Sequence, residues 1–231
     1  MTINRSAIKQ NAKLTISGSK PSPVLVGLVL VSILFVLQYL NLMVTGYPQM
    51  LQKLSAQFAA GNYDYLPTIP QIGLSARLLD LAISLMVMML STGFTIFCLN
   101  TCNGVKASFG NLFDGFAIFF KVLWLEILIY FFTLLWTFLL IIPGIVAGYR
   151  YRMALFIMIE NPQMSALECI NASKSMMQGH KGELFVLDLS FVGWQMLTII
   201  PFVSLWVTPY LNITLTHYYL ALRDMPVISN Y

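Results

Sequence analysis

The feature that most constrains this chain is a succession of long apolar stretches. The first, VLVGLVLVSILFVLQYLNLMV at residues 24–44, contains no charged residue. A helix of about 20 residues, rising about 1.5 Å per residue, crosses the roughly 30 Å hydrocarbon core of a bilayer. Of the 231 residues, 58% are hydrophobic and 10% are charged, whereas soluble domains contain roughly 25% charged residues. The composition therefore predicts an integral membrane protein.

The apolar stretches predict an all-α, polytopic membrane protein that forms a single domain over residues 1–231. We expect six transmembrane helices, separated by polar loops and by the breaks that Pro and Gly introduce. The six predicted spans cover residues 24–44, 74–100, 118–142, 145–159, 184–202 and 204–222. Six spans leave both termini on the same side of the membrane.

The distribution of basic residues predicts which side that is. On the side of the termini the loops and span ends carry Arg5, Lys9, Lys13, Lys20, Lys106, Lys121, Lys174, Lys181 and Arg223. Only Lys53 and Arg77 fall on the opposite side. Loops rich in Lys and Arg remain in the cytoplasm during insertion. Both termini are therefore expected to be cytoplasmic.

Amphipathic segments between the spans predict short helices at the membrane surface. Basic residues every four positions, at Arg5, Lys9 and Lys13, are typical of a surface-lying helix. Two loop segments have apolar residues at helical spacing, one with Leu51, Leu54 and Phe58 and one with Phe109, Leu112, Phe113 and Phe116. The first of these should stop at Gly61, and YDYLPTIP is expected to return in an extended form at headgroup level.

A helix start is predicted at Ser165. The sequence SALE places Glu168 three residues after a serine, which is the pattern of a capping box. Gly179 is expected to end the helix that begins there.

Two similar segments occur where the third and fifth spans reach the outer surface. WTFLLIIPGI begins at Trp136 and WQMLTIIPFV at Trp194, each with a proline seven residues after the tryptophan. The third and fourth spans and the fifth and sixth spans would then be two copies of one hairpin, in a parallel repeat. The alternative is coincidence, because Trp and Pro both favour the membrane interface. In either case Pro143-Gly144 is expected to form the outer turn of the first hairpin.

Of the charged residues within the predicted spans, four are candidates for a functional site: Glu126, Arg150, Arg152 and Asp188. From the helical rise, Asp188 lies about 6 Å from the cytoplasmic surface, Glu126 and Arg152 about 12 Å, and Arg150 about 15 Å. One interpretation is an intramembrane ion-pair cluster in which the acids neutralise the arginines. The other is a cavity in which an arginine binds an anion or a lipid phosphate. The arginines are two residues apart, about 200° around a helix, so at most one of them faces the centre.

The sequence carries no constellation typical of an enzyme. Its two histidines, His180 and His217, and its three cysteines show no metal-ligand spacing and no nucleophile–base pattern. The formal charge of +4 arises largely from loop lysines and indicates no nucleic-acid partner. We therefore expect a protein that is not an enzyme, with no cofactor and no metal.

Several longer tracts of the chain resemble a family of bacterial membrane proteins. The tracts are SFGNLFDGF…FFKVLW, LLWTFLLIIPGIVAGYRYRMALFIMIENPQMSALECINASKSMMQGHKGELFVLDLSFVGW and LWVTPYLNITLTHYY. The chain resembles domain-of-unknown-function family 975 over nearly its whole length, most specifically at residues 172–194. The resemblance implies a multi-pass helical protein of a bacterial plasma membrane. It implies no activity, no substrate and no catalytic residue.

Two functions are compatible with these features. The first is a non-catalytic accessory or scaffold protein in envelope or secretion processes, whose partners are the lipid bilayer and either another membrane protein or a second copy of the chain. The second is a small transporter or a lipid- or anion-binding protein that uses the cluster of Glu126, Arg150, Arg152 and Asp188. Whether that cluster lines a cavity distinguishes the two.

Overall fold

Helices account for nearly all of the regular structure. A computed structural model describes residues 3–64, 73–198 and 201–225, and no strand occurs in these ranges. The helices are α1 Arg5–Gly18, α2 Pro23–Val44, α3 Tyr47–Ala59, α4 Leu74–Cys102, α5 Asn111–Asp114, α6 Phe119–Leu139, α7 Ile141–Tyr151, α8 Ala154–Glu160, α9 Ala166–Met176, α10 Lys181–Leu189, α11 Val192–Leu197 and α12 Pro201–Arg223. A 3₁₀ helix, Gly115–Ile118, joins α5 to α6. The predicted extended return lies mostly in residues 65–72, outside the described ranges.

Four segments of the described chain are long and apolar enough to cross a membrane. They are Pro23–Val44, Leu74–Cys102, Asn111–Leu139 and Ile141–Glu160. They coincide with the first four predicted spans. The all-α class and the presence of several membrane-compatible helices are thereby confirmed.

The fifth and sixth predicted spans differ from the first four in helix length or in polarity. The fifth corresponds to two short helices, α10 and α11, interrupted at Ser190 and Phe191. The sixth corresponds to α12, which is 23 residues long but carries Pro209 and several polar residues. Neither is among the four membrane-compatible segments of the described chain. The total of six spans and the orientation of the termini remain predictions.

Helix α12 lies at the centre of the molecule. One apolar cluster joins α6 to α10 with the end of α12, where Tyr218 is fully buried. A second cluster joins α1, α2 and α4 with Ile213 in the middle of α12. The hydroxyl-bearing residues Thr214 and Thr216 are also buried. Because the later part of α12 is largely covered by other helices, these polar residues contact protein and need not contact lipid, whereas the start of α12 is exposed.

The N-terminal helix α1 forms as predicted, and its apolar face packs against protein. Ile8 and Ala12 are buried, and α1 lies along α12. The Lys9 ammonium donates a hydrogen bond to Ser190 over 2.7 Å, and Thr15 is 2.8 Å from the His217 ring. The remaining face of α1 is exposed, so only that face is available to a membrane surface.

The two amphipathic loop segments differ in their packing. Helix α3 forms where predicted, has no buried residue, and is followed by Gly61 at φ +79°. In the second segment Leu112 is buried, whereas the three phenylalanines of the stripe are exposed. Gly93 on α4 and Gly115 allow this segment to lie directly against the α4 backbone, because a Cβ atom at either position would overlap main-chain atoms.

The hairpin of α6 and α7 turns three residues earlier than the sequence indicates. Leu140 is the extended residue between the helices, and Pro143 lies inside the first turn of α7. Proline is tolerated there because the first turn has no intrahelical partner for its N–H groups. A side chain at Gly144 would overlap Thr137, so glycine permits the close packing of the two helices. The equivalent turn of the second copy includes residues 199–200, outside the described ranges, and the repeat remains a prediction.

The predicted capping box is confirmed. The Ser165 hydroxyl accepts a hydrogen bond from the Glu168 backbone, and the Glu168 carboxylate accepts one from the Ser165 backbone over 2.7 Å. Gly179 follows the helix at φ +83°. These features fix α9, which supports the site described next.

Candidate functional site

The fourth membrane-compatible segment is interrupted next to its arginines. Helix α7 ends at Tyr151 and α8 begins at Ala154, which leaves backbone groups without intrahelical partners. The buried Ser173 of α9 satisfies two of them: its hydroxyl donates to the Arg150 carbonyl over 2.8 Å and accepts from the Met153 amide over 3.2 Å. An interrupted helix within a bilayer requires such partners. The interruption is therefore supported by the tertiary structure.

The helix end at this interruption favours positive charge. Arg150 lies in the last turn of α7, and Arg152 directly follows the helix. The C-terminus of a helix carries a partial negative charge, which stabilises cations in its last turn. The interruption thus gives the fold a physical reason to place arginines in an apolar segment.

A cavity of about 440 Å³ lies between α4, α6, α7, α8 and α12. Both a carboxylate and a guanidinium reach it, from Glu126 on α6 and Arg152 after α7. The rest of its polar lining comes from Thr95, Tyr130, Thr133, Tyr151 and Asn212. Ligand pockets commonly have volumes of about 300–1,000 Å³, with a few convergent polar groups. The size and chemistry of this cavity fit a small polar ligand.

Glu126 and Arg152 share the cavity without forming an ion pair. Arg152 attracts the Glu126 carboxylate electrostatically, but among the described residues the ion pairs involve other groups. Those pairs are His180–Glu183, Arg223–Glu160 and Arg223–Asp224. The side chain of Arg152 is exposed, and that of Glu126 is half-buried. Both charges therefore remain available to a bound molecule.

A polar network closes one end of the helix bundle. The Arg223 guanidinium at the end of α12 is 2.6 Å from the Glu160 carboxylate at the end of α8. The Tyr219 hydroxyl donates to the same carboxylate over 2.7 Å, and Asn103 after α4 donates to it over 3.4 Å. The ends of α4, α8 and α12 therefore lie at one level.

The cavity lies well inside this end. The start of α6 is at the same level, because Lys121 hydrogen-bonds the Pro162 carbonyl just after α8. Glu126 lies about 10 Å along α6 from its start, and Thr95 about 10 Å from the end of α4. Asn212 lies about 16 Å from the end of α12. The cavity thus lies about 10–16 Å along these helices from the end where they meet.

The other two predicted site residues lie elsewhere. Asp188 on α10 lies close to Tyr149 on α7, as does Arg152. Tyr149 packs edge-on against Phe185, with ring centroids 6.0 Å apart. Arg150 is not part of the cavity lining. Glu126 and Arg152 therefore line one cavity, whereas Arg150 and Asp188 are not part of its lining.

Sequence reasoning missed the neutral polar residues of the cavity. The Thr133 hydroxyl is buried and has no hydrogen-bond partner within the described ranges. Thr95 and Asn212 each donate to a carbonyl four residues earlier in their own helix, over 3.1 Å and 2.9 Å. A search for Thr and Asn within the apolar spans would have found all three as candidates. Only the fold selects them, since threonines elsewhere in the same helices make similar bonds.

One comparison with known proteins finds a similarity in the C-terminal part of the chain. Residues 138–225 match the family described as "Protein of unknown function (DUF975)". The resemblance is thereby confirmed for the segment that contains Arg152, Ser173 and Asn212, whereas Glu126 and Thr133 precede the match. No curated protein and no solved structure matches the chain.

Proposed function

We propose that this protein is a multi-pass protein of a bacterial plasma membrane that binds the charged headgroup of a lipid, or an anion of similar chemistry, in the Glu126–Arg152 cavity. The observation that carries the proposal is an exposed Arg152 that lines a polar cavity and has no ion pair among the described residues. In this proposal the protein binds without catalysing a reaction. It needs no cofactor, because the arginine supplies the attraction directly.

The surroundings of the cavity favour a ligand that arrives from the lipid phase. In the most apolar 18-residue stretch of Asn111–Leu139, only 11% of the residues are buried, compared with 50% in that of Leu74–Cys102. Tyr130, which lines the cavity on this exposed segment, is 70% exposed. The cavity therefore opens on a face that lipid would cover.

The energetics of Arg152 support the same ligand. An arginine at the centre of a membrane helix costs about 2.5–3.5 kcal/mol on insertion scales. A phosphate that forms charge-assisted, bidentate hydrogen bonds with the guanidinium would offset this cost. A lipid headgroup supplies such a phosphate at the membrane itself.

The proposal includes a topology of six spans with cytoplasmic termini. Helix α12 would cross the membrane shielded by its neighbours, which accounts for its polar residues. Lysines and arginines at the end where α4, α8 and α12 meet would then face the cytoplasm, as expected from the positive-inside rule.

An accessory or scaffold role is the second candidate. Helix α3 favours it, because none of its residues is buried and Leu51 and Phe58 are exposed. These apolar groups could contact a membrane protein partner or a second copy of the chain, as well as the bilayer. Cross-linking from α3 in native membranes would test this role, and a bilayer contact alone would give no protein adduct.

The binding proposal is tested by the lipid that copurifies with the protein. The wild type, Arg152→Gln and Arg150→Gln are purified in mild detergent, and bound phospholipid is quantified by native mass spectrometry. Arg150→Gln is the matched control. It removes the same charge two positions before Arg152, from a side chain that does not line the cavity. We expect Arg152→Gln alone to lose the bound lipid. Equal retention by all three proteins would contradict the proposal.

A further inference from the structure

The cavity contains two opposite charges, and this constrains the ligand more than Arg152 alone does. A simple anion would pair with Arg152 but would leave Glu126 close to a second negative charge. A simple cation would pair with Glu126 but would lie close to the positive charge of Arg152. Since neither residue has an ionic partner among the described residues, the guest that satisfies both must carry both charges itself.

The neutral lining fits the same guest. Thr133 also lines the cavity, and its hydroxyl has no hydrogen-bond partner within the described ranges. Asn212, whose amide nitrogen already donates within its own helix, retains a side-chain carbonyl that can accept from an ammonium group. The cavity volume of about 440 Å³ accommodates a headgroup of this kind without its acyl chains.

Deepening the proposed function, on which this inference rests, we infer that the cavity recognises a zwitterionic phosphoester of a primary amine. Arg152 pairs with the phosphate, and Glu126 accepts hydrogen bonds from the ammonium group. A primary ammonium donates up to three hydrogen bonds, whereas a quaternary ammonium donates none. The lipid form of this chemistry is a phosphatidylethanolamine headgroup, and the soluble form is free phosphoethanolamine.

The test compares lipids that differ in one feature. Binding to detergent-purified wild type is measured by native mass spectrometry for phosphatidylethanolamine, phosphatidylglycerol and phosphatidylcholine with identical acyl chains. A hydrogen bond to a charged group corresponds to roughly tenfold or more in affinity. We expect phosphatidylethanolamine to bind at least about tenfold more tightly than the other two. Equal binding of the three lipids would overturn the inference and leave the proposed function intact.

Variants of Glu126 and Arg152 test whether Glu126 determines the preference for phosphatidylethanolamine. Glu126→Gln should bind phosphatidylethanolamine and phosphatidylglycerol equally, and Glu126→Asp should restore part of the preference. Arg152→Gln should lose all three lipids. An unchanged preference in a folded Glu126→Gln protein would overturn the inference, whereas unchanged lipid binding by Arg152→Gln would overturn the proposed function itself. The comparison of lipids on wild type decides the inference even if a variant fails to fold.

A second arm distinguishes the source of the ligand. Free phosphoethanolamine, inorganic phosphate and phosphatidylethanolamine are each added to delipidated wild type, and thermal unfolding is monitored. Stabilisation by phosphoethanolamine, absent with phosphate and lost in Glu126→Gln, supports the zwitterion chemistry with a soluble source. Stabilisation only by the phosphatidylethanolamine lipid supports the same chemistry with a lipid source. Stabilisation by phosphate equal to that by phosphoethanolamine would overturn the inference.

Discussion

The hydroxyl of Ser173 illustrates how one side chain holds the interruption of a helix. It bonds one carbonyl and one amide that the break between α7 and α8 leaves without intrahelical partners. Without that hydroxyl both groups would lose this partner. Arg152 and the cavity depend on the position of this break, so Ser173 supports the site without contacting a ligand.

Replacing Ser173 with alanine is expected to destabilise the fold. Buried polar groups that lose their partner each cost about 1–3 kcal/mol, so Ser173→Ala should lower the free energy of unfolding by at least about 1 kcal/mol. The control is Ser175→Ala on the exposed face of the same helix, which should have little effect. Denaturant unfolding in detergent measures both. A Ser173→Ala protein as stable as the control would contradict this account of the interruption.

Gly144 of α7 packs directly against Thr137 of α6. A methyl group there overlaps Thr137, including its Cα atom, whereas a methyl group at Gly148 of the same helix meets no atom within 4 Å. Gly144→Ala should therefore force α6 and α7 apart and lower the unfolding temperature. Gly148→Ala should be neutral or stabilising, because alanine restricts the unfolded chain more than glycine does. Similar unfolding temperatures for the two variants would argue against close packing at Gly144.

The sequence predicted the charged residues of the site better than the neutral ones. Glu126 and Arg152 are conspicuous because charges are rare in apolar spans. Thr133 and Asn212 are not, since such residues often bond to their own helix. The separation of Arg150 from the cavity followed in part from helix geometry, which allows at most one of two arginines at this spacing to face a given point. The break itself depends on Ser173, a residue 20 or more positions further along, and local pattern cannot indicate that.

The capping box of the short helix α9 should make part of the protein's stability depend on pH. Hydrogen bonds from the backbone and hydroxyl of Ser165 hold the pKa of the Glu168 carboxyl below its usual value. A carboxylate with a lowered pKa in the folded state stabilises the fold above its ordinary pKa. That contribution is lost as the pH falls from the ordinary value through the lowered one.

Glu168→Gln should therefore separate the pH dependence of α9 from that of the rest of the protein. The difference in unfolding temperature between wild type and Glu168→Gln should be constant at neutral pH and should shrink as the solution is acidified below the ordinary carboxyl pKa. Thermal unfolding in detergent across a pH series measures this difference. A difference that stayed constant into strong acid would show that the ionised cap contributes nothing.

Element boundaries followed from sequence wherever local signals were strong. Helices α2 and α4 agree closely with the first two predicted spans, and α9 begins at its predicted capping box. The exact turn of the α6–α7 hairpin was missed, because Pro143 is equally compatible with a turn and with the first turn of a helix. The contacts of α1 and α12 were missed as well. A polar stripe on a helix looks the same whether water or a neighbouring helix faces it.

For the whole molecule, the proposed membrane topology can be tested by the accessibility of its loops. The proposed topology places α3 outside the cell and the segment after α9 in the cytoplasm. A cysteine introduced at Gln57 should react with an impermeant maleimide on intact cells, and one at Gln178 should react only after lysis. These reactions are scored in a background in which Cys98, Cys102 and Cys169 are replaced. The reverse pattern would contradict six spans with cytoplasmic termini.

In the proposed function, Glu126 and Arg152 form no ion pair because a charged headgroup binds between them. The most direct measurement is an experimental structure of the protein in nanodiscs formed from native lipid. We predict density for a headgroup in contact with Arg152, with acyl chains leaving past Tyr130 along the exposed face of α6. A direct ion pair between Arg152 and Glu126, in a cavity without headgroup density, would contradict the account.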